Sequence, residues 1–225
     1  MPVLSVIVPV YNEVGTIRQI LEKIDAVNID KEIVVVDDSS SDGTDKVLRG
    51  IKLANLKVIH HSSNRGKGAA FLTGLANATG EFIIVQDADL EYDPNDYLAL
   101  MGEIKKNDVG LVLGVRFTTG HQGDVIPRLG NRFVTGLLNI LFGVRINDIL
   151  TCYKLLRRET ALQLNLKSQG FCIDTELIIK IIKSKLSIRE VPVSYSPRSY
   201  SQGKKIRAID GAAYIFNILK NRIGG

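Results

Sequence analysis

Asp87 and Asp89 stand at the end of a short apolar run, Glu81-Phe82-Ile83-Ile84-Val85-Gln86, spaced two residues apart. In extended backbone such positions share a face, so the spacing aims both carboxylates at one point. Converging carboxylates suit a hard divalent cation, which takes oxygen ligands and bridges to phosphate. Two other apolar runs end on groups of a complementary kind. Pro9, Tyr11 and Glu13 follow the first, and Asp37 and Asp38 the second. An aromatic ring with carboxylates can stack on a nucleobase and hydrogen-bond a ribose. Carboxylates alone would repel a diphosphate, so a cation has to lie between them. The chemistry implied is the handling of a metal-bound nucleoside diphosphate.

These groups need elements that bring them to one rim. Val3–Val8 is a continuous apolar run, the pattern of a strand buried on both faces. Ile33–Val36, Leu56–Ile59, Phe82–Val85 and Leu111–Leu113 read as further strands, and 188–195 as one more. Ile17, Ile20, Leu21 and Ile24 recur at helical spacing, with Asn12 as the expected N-cap. Helical stretches are expected near 67–78 and 95–106. The alternation predicts an α/β fold with a mostly parallel sheet and helices on both faces. Such sheets bind ligands beyond the carboxyl ends of their strands.

After about residue 115 arginines become frequent: Arg116, Arg128, Arg132 and Arg145. Phe133–Val144 is an apolar, helical segment with Phe133, Leu137 and Leu141 in one row and Val134, Leu138 and Phe142 in the next. A last helix is expected near 207–223. The formal net charge is +5, and the stretch from Arg189 to Gly225, with seven Lys/Arg against two Asp/Glu, carries an equal excess. A basic tail suits phosphorylated substrates or an anionic membrane surface; nucleic acid is not expected, since no recognition motif accompanies the charge. Disorder is excluded by a 45% hydrophobic and 24% charged composition. Cys152 and Cys172 have neither metal-ligand nor disulfide-scaffold spacing, which predicts reduced thiols and a cytoplasmic protein. Neither a signal peptide nor an apolar run of about 18 residues is recognised, so contact with a membrane would be peripheral, at its cytoplasmic face.

Two phosphate-binding motifs do not apply. Pro9-Val10-Tyr11-Asn12-Glu13 replaces the glycine-rich turn of a dinucleotide fold. Asn64-Arg65-Gly66-Lys67-Gly68 lacks the upstream glycine and following Ser/Thr of a P-loop, and reads equally as a phosphate contact or as a glycine-rich turn into a helix. What the chain does carry is Val6-Ile7-Val8-Pro9-Val10-Tyr11-Asn12-Glu13, Val35-Val36-Asp37-Asp38-Ser39-Ser40-Ser41-Asp42-Gly43-Thr44 and Asp87-Ala88-Asp89. In this order they closely resemble the family-2 glycosyltransferases with the GT-A fold. Gly114-Val115-Arg116-Phe117, Asp148 to Lys154, Gly170-Phe171 and Glu190 to Arg198 extend the resemblance to the polyprenyl-phosphate (dolichyl-phosphate mannosyl or glucosyl) branch.

The resemblance implies one GT-A domain over 1–225, with a nucleotide-sugar half (about 1–115) and an acceptor half (about 116–225) bearing amphipathic helices at 130–145 and 207–223. Pro9, Tyr11, Glu13 and Asp37 would hold the nucleoside, with Asp38, Lys67 and Ala88 completing the donor-site candidates. Asp87, Asp89 and Glu91 would bind Mg²⁺ or Mn²⁺ and through it the diphosphate. Arg116, Arg128, Arg132 and Arg198, with Lys204 and Lys205, would meet donor and acceptor phosphates. Asp89, Arg116, Arg128 and Arg198 are the catalytic candidates. The donor would be GDP-mannose or UDP-glucose, the acceptor a dolichyl or undecaprenyl phosphate. Glu91 replaces the Gln common in mannosyltransferases, and Thr151-Cys152-Tyr153 their S-G-F, so base and sugar stay open, as does a homo-oligomer.

A phosphate acceptor needs no deprotonation, since its second pKa is about 6, whereas a sugar hydroxyl needs a positioned base. The arginine-rich second half, poor in bases, favours the phosphate. Asp148, Asp174 and Glu176 are the bases to consider for a hydroxyl acceptor, a glycan or small molecule. A nucleotide-sugar-binding scaffold is the non-enzymatic alternative. The apolar helices fit either the membrane interface or packing against the domain or a second copy.

Overall fold

The computed structural model describes residues 1–106, 108–116, 125–198 and 208–223. One seven-stranded sheet runs in the order β3-β2-β1-β4-β6-β5-β7. Its strands are β1 Leu4–Val10, β2 Lys31–Asp37, β3 Leu56–His60, β4 Phe82–Val85, β5 Val109–Val115, β6 Lys154–Arg157 and β7 Ser187–Pro192. All neighbours pair in parallel except β6, which is antiparallel to both β4 and β5. The uninterrupted apolar runs occupy the centre: every described side chain of β4 and β5 is buried, as is nearly all of β1.

The chain runs outward from β1 to β2 and β3, then returns to place β4 on the other flank of β1. This reversal opens a crevice beyond the carboxyl ends of β1 and β4, the ends that lead into Tyr11–Glu13 and Asp87–Asp89. Because β6 is reversed, its amino end lies at the same rim, with Lys154 opposite Leu113. Sequence periodicity does not reveal β6: four residues led by a lysine carry no strand signal.

The helices are α1 Ile17–Ala26, α2 Thr44–Arg49, α3 Lys67–Asn77, α4 Tyr97–Ile104, α5 Val125–Phe142, α6 Arg158–Gln163, α7 Ile173–Lys183 and α8 Ala208–Ile223, with a 3₁₀ turn at Pro94–Asp96. α1 buries Ile17, Ile20, Leu21 and Ile24 as their spacing requires. Its N-cap position is Thr16, not Asn12. Asn12 has φ +52, and it instead ties two loops together: its Oδ1 accepts from Ser41 N at 2.8 Å and its N donates to Ser40 Oγ at 2.9 Å. The helix expected to reach 145 stops earlier, because Gly143 at φ +66 turns the chain into the left-handed region that ends helices.

α5 and α8 pack on each other, and α8 also on α7. Of the two apolar rows on α5, the one with Val134 and Leu138 faces the core, while Phe133 of the other is 64% exposed; Ile140, outside both rows, is 82% exposed. Phe216 on α8 is 68% exposed, against buried Tyr214 and Ile218. Among the described residues no helix is long and apolar enough to cross a membrane. Cys152 and Cys172 are free thiols.

Candidate active site

The loops after β1 and β2 are built around carboxylates that accept from main-chain amides. Asp42 takes Val14 N and Thr44 N, each at 3.0 Å, and Thr44 Oγ1 at 2.6 Å. Burial pushes its pKa upward, but these hydrogen bonds outweigh it and hold the carboxyl below its ordinary value. Thr44 Oγ1 in turn receives Glu13 N at 2.9 Å. Asp37, almost fully buried, accepts from Ser40 N (3.1 Å) and Ser40 Oγ (2.5 Å) and lies 3.1 Å from His60 Nδ1. Asp38, the other donor-site candidate after β2, faces the loop that enters α3. Its buried carboxylate is taken up by Arg65 N (2.9 Å), Gly66 N (2.7 Å) and His61 Nδ1 (2.7 Å), so it shapes the loop that enters α3.

The glycines of that loop have a packing reason. A Cβ on Gly66, at φ +88, would sit 2.7 Å from Gln169 O, and one on Gly68 would collide with Ser168 O. The glycines are there because the 168–170 backbone passes against them, joined by Ala69 N donating to Gln169 O at 2.9 Å. Lys67 is thereby aimed inward. Its Nζ lies 2.9 Å from Asp87 Oδ1 and 3.9 Å from Asp174 Oδ2. Burial lowers the affinity of this amine for its proton, yet Asp87 and then Asp174 outweigh burial and hold its pKa well above the ordinary lysine range.

Asp87 and Asp89 lie in a turn beyond β4 rather than on extended strand, with Leu90 at φ +63. Asp89 is pushed up to about 7, first by burial, then by the neighbouring charges of Asp87 and Glu91, with Arg198 opposing. Arg198 Nη2 reaches Asp89 Oδ2 at 3.3 Å, and its two terminal nitrogens grip Glu13 at 3.0 Å each. The segment before Arg198 is laid along Glu91. Tyr195 Oη donates to Glu91 Oε2 (3.0 Å), Arg198 N to Oε1 (2.8 Å) and Ser196 N to the Glu91 carbonyl (2.8 Å). Pro9 lies on β1 opposite Val36, Tyr11 is partly exposed at the rim, and Ala88 is buried between the two aspartates.

Arg116 is bound bidentately to fully buried Asp148, through Nε at 2.7 Å and Nη2 at 2.8 Å, and lies 5.2 Å over the Tyr195 ring. Asn131 of α5 also donates to Asp148, at 2.9 Å. Arg128 is half-buried and Arg132 exposed on α5. Lys204 and Lys205 lie outside the described residues. The three carboxylates considered as bases all have partners: Asp148 has Arg116, Asp174 has Lys154 at 2.8 Å, and Glu176 has Lys167 N, Ser168 N and Lys180.

Several positions escape motif reading. Fully buried Gln86 accepts from Tyr97 Oη (2.5 Å) and Tyr153 Oη (2.7 Å), while its amide nitrogen donates to Asp87 O (2.9 Å), fixing the turn that carries the acidic pair. Tyr92 donates to or accepts from Thr151 Oγ1 and receives Cys152 N at 2.9 Å. The only sequence signal for this cluster is the recurrence of tyrosine at 92, 97, 153 and 195.

The donor set suits a hard cation in its chemistry: carboxylate oxygens, with Asp89 destabilised as an anion by Asp87 and Glu91 beside it. Among the described residues no three His, Cys, Asp or Glu side chains already form a metal cluster. Asp87 and Asp89 would hold such an ion, with diphosphate oxygens completing its shell. Among the described residues, buried Arg198 Nε has no hydrogen-bond partner, which leaves this guanidinium donor capacity.

Comparison with known proteins agrees with this geometry. The chain is 29% identical over 208 residues to the low-salt glycan biosynthesis hexosyltransferase Agl6 of Haloferax volcanii, covering 88% of this chain and 48% of that protein. It is 30% identical over 217 residues to the polyprenol monophosphomannose synthase of Mycolicibacterium smegmatis (88% and 79%). Identity is also 30% over 208 residues to the dolichol-phosphate mannosyltransferase of Pyrococcus furiosus (89% and 58%). It thus spans about half the length of the first of these relatives. Glucosyl-3-phosphoglycerate synthase from Mycobacterium tuberculosis, in complex with UDP, shares the fold with a TM-score of 0.75 at 21% identity, over 98% of this chain and 80% of that one. The same synthase has been crystallised with Mn²⁺, UDP and glucosyl-3-phosphoglycerate. The model of glycosyl transferase family 2 matches residues 5–164, and the chain, with the GT-A fold, belongs to that family.

Proposed function

We propose that this chain transfers a hexose, mannose or glucose, from a nucleoside-diphosphate sugar to a polyprenyl phosphate, with inversion at the anomeric carbon. The observation that carries this reading is the landing of Arg198 on Glu13 and Asp89, 185 and 109 residues away, which sets a C-terminal cation beside the donor rim. A phosphate oxygen of the acceptor attacks the anomeric carbon. The bond from that carbon to the diphosphate breaks, and its electron pair leaves with the nucleoside diphosphate. A bound Mg²⁺ or Mn²⁺ would supply charge neutralisation of this leaving group. Tyr11, Glu13 and Asp37 orient the nucleoside from the ends of β1 and β2. Arg198, with a fixed fork of donors, steadies developing negative charge. Arg116, anchored by Asp148, sets the Tyr195 end of that segment.

The pairing of Asp148, Asp174 and Glu176 with cations or main-chain amides supports a phosphate acceptor, since none stands ready to take a proton from a hydroxyl. The names of two relatives, polyprenol monophosphomannose synthase and dolichol-phosphate mannosyltransferase, support it too. Exposed Leu129, Phe133, Ile140 and Phe216, with exposed Arg132 nearby, suit an acceptor met at a membrane surface. The test incubates labelled GDP-mannose and UDP-glucose with Mn²⁺ and either undecaprenyl phosphate or oligosaccharides. Label passing into the organic phase, and lost in Asp89→Asn, is the expected result; label only on soluble hydroxyl acceptors overturns the proposal.

A further inference from the structure

Each member of the acidic pair already has a protein cation, and the two cations come from opposite sides. Lys67 enters from α3 and lies 2.9 Å from Asp87; Arg198 enters from the segment after β7 and lies 3.3 Å from Asp89. Neither cation is bound to that carboxylate alone. Arg198 also holds Glu13 at 3.0 Å, and Lys67 is 3.9 Å from Asp174. Asp174 is itself fixed by Lys154, which is 1% exposed and also donates to the Thr151 carbonyl. Asp87, Lys67, Asp174 and Lys154 thus form a row of alternating charge, half-buried at its outer end and buried at its inner one, that is neutral as a whole. A shift of about an ångström would move Lys67 from hydrogen-bonding Asp87 to hydrogen-bonding Asp174.

We infer that Lys67 and Arg198 are stand-in cations, which yield Asp87 and Asp89 to a divalent ion only when a diphosphate arrives to receive them, with Asp174 as the second partner that lets Lys67 leave. The argument is one of charge. A divalent ion arriving alone has to displace two protein cations, leaving Arg198 with Glu13 alone and Lys67 to share Asp174 with Lys154 in a partly buried rim. A diphosphate arriving alone meets carboxylates. Arriving together, the ion takes the carboxylates and the diphosphate takes the displaced ammonium and guanidinium groups, so no charge is left unpaired. Metal and nucleotide must then bind cooperatively, and by linkage each tightens the other equally. Asp174 and Lys154 act as positioning residues, through Lys67.

The inference rests on the donor-site reading above, and one experiment separates the two. Mn²⁺ binding is titrated by electron paramagnetic resonance of the free ion, at fixed ionic strength, with and without GDP or UDP. The wild-type protein is expected to bind Mn²⁺ weakly alone and at least about tenfold more tightly with its preferred nucleotide. Lys67→Met and Arg198→Met should each bind Mn²⁺ alone about tenfold more tightly than wild type and lose most of the nucleotide coupling. Asp174→Asn should move the opposite way, because Lys67 then has Asp87 as its remaining acidic partner. If both methionine variants bind Mn²⁺ alone no better than wild type, while wild type binds it with nucleotide, the hand-over is wrong and the donor site stands. Absence of Mn²⁺ uptake by wild type with either nucleotide overturns the donor-site reading and the inference with it. Circular dichroism verifies folding; should Lys67→Met fail to fold, Arg198→Met, which acts on the other carboxylate from a surface segment, decides alone.

Discussion

Two acidic pairs stand at the same rim of the sheet, Asp37/Asp38 after β2 and Asp87/Asp89 after β4, and they are held in different ways. Asp38 is held by Arg65 N and Gly66 N, and Asp37 by Ser40 N, with a histidine beside each. Asp87 and Asp89 are held by the ends of a lysine and an arginine. Main-chain amides cannot leave without unfolding the loop, whereas long side chains can rotate away. The first arrangement fixes a loop, which holds Asp37 in place toward the nucleoside; the second leaves carboxylates whose partners a ligand can displace. Residue type is the same in both, and the donors facing each carboxylate decide its role.

The largest effect expected from this contrast separates activity from stability. Asp89→Asn should reduce turnover by about a hundredfold or more, the loss typical when transition-state charge stabilisation is removed. Its urea midpoint should stay level or rise, because burial and the adjacent Asp87 and Glu91 disfavour charge at this site. Asp38→Asn should behave in reverse. It weakens three buried hydrogen bonds and costs roughly 3 kcal/mol of unfolding free energy, while the folded fraction keeps most of its turnover. Equal stability losses in the two variants would break the comparison.

How much of this was legible in the sequence follows from which contacts are local. Strand Phe82–Val85 and the spacing of the Asp87/Asp89 pair are short-range features, and the apolar run and its two carboxylates announced them. The strand of Lys154–Arg157 was not legible, because it exists only by pairing antiparallel with strands 70 and 40 residues earlier in the chain. Nor does any local pattern show that Arg65 and Gly66 return to Asp38. Glu91, expected beside the metal, accepts from Tyr195 and Arg198, contacts across about a hundred residues that no local pattern shows. Phosphate-binding expectations for Arg116 could not anticipate buried Asp148, which the fold brings in from 32 residues away.

Gln86 sharpens the comparison from beneath. It braces the turn of Asp87 and has no counterpart under Asp38. Gln86→Leu would leave two buried tyrosine hydroxyls without their acceptor, a loss of about 2 kcal/mol, read as a lower denaturant midpoint. A stronger consequence for function is expected in the Michaelis constant for donor, since the Asp87 carbonyl loses its tether. Gln86→Glu keeps an acceptor for both phenols and should restore the midpoint more than the Michaelis constant, which distinguishes a positioning role from a purely structural one.

The smallest effect concerns Asp42, another carboxylate held by main-chain amides, and it works through pH. Its folded pKa is held below the ordinary 3.8 by Thr44 and Val14 despite the upward push of burial. A depressed carboxyl contributes stability that is present above its unfolded pKa and is lost as pH falls through the folded value. Asp42→Asn should therefore destabilise the protein at about pH 6 and matter progressively less below about pH 3.8, where the wild-type carboxyl also becomes neutral. Urea midpoints for both proteins across that range check the sign. A gap between them that widened toward acid would mean that Asp42 is strained rather than supported by its loop, and that amide-held carboxylates at this rim are not the fixed half of the contrast.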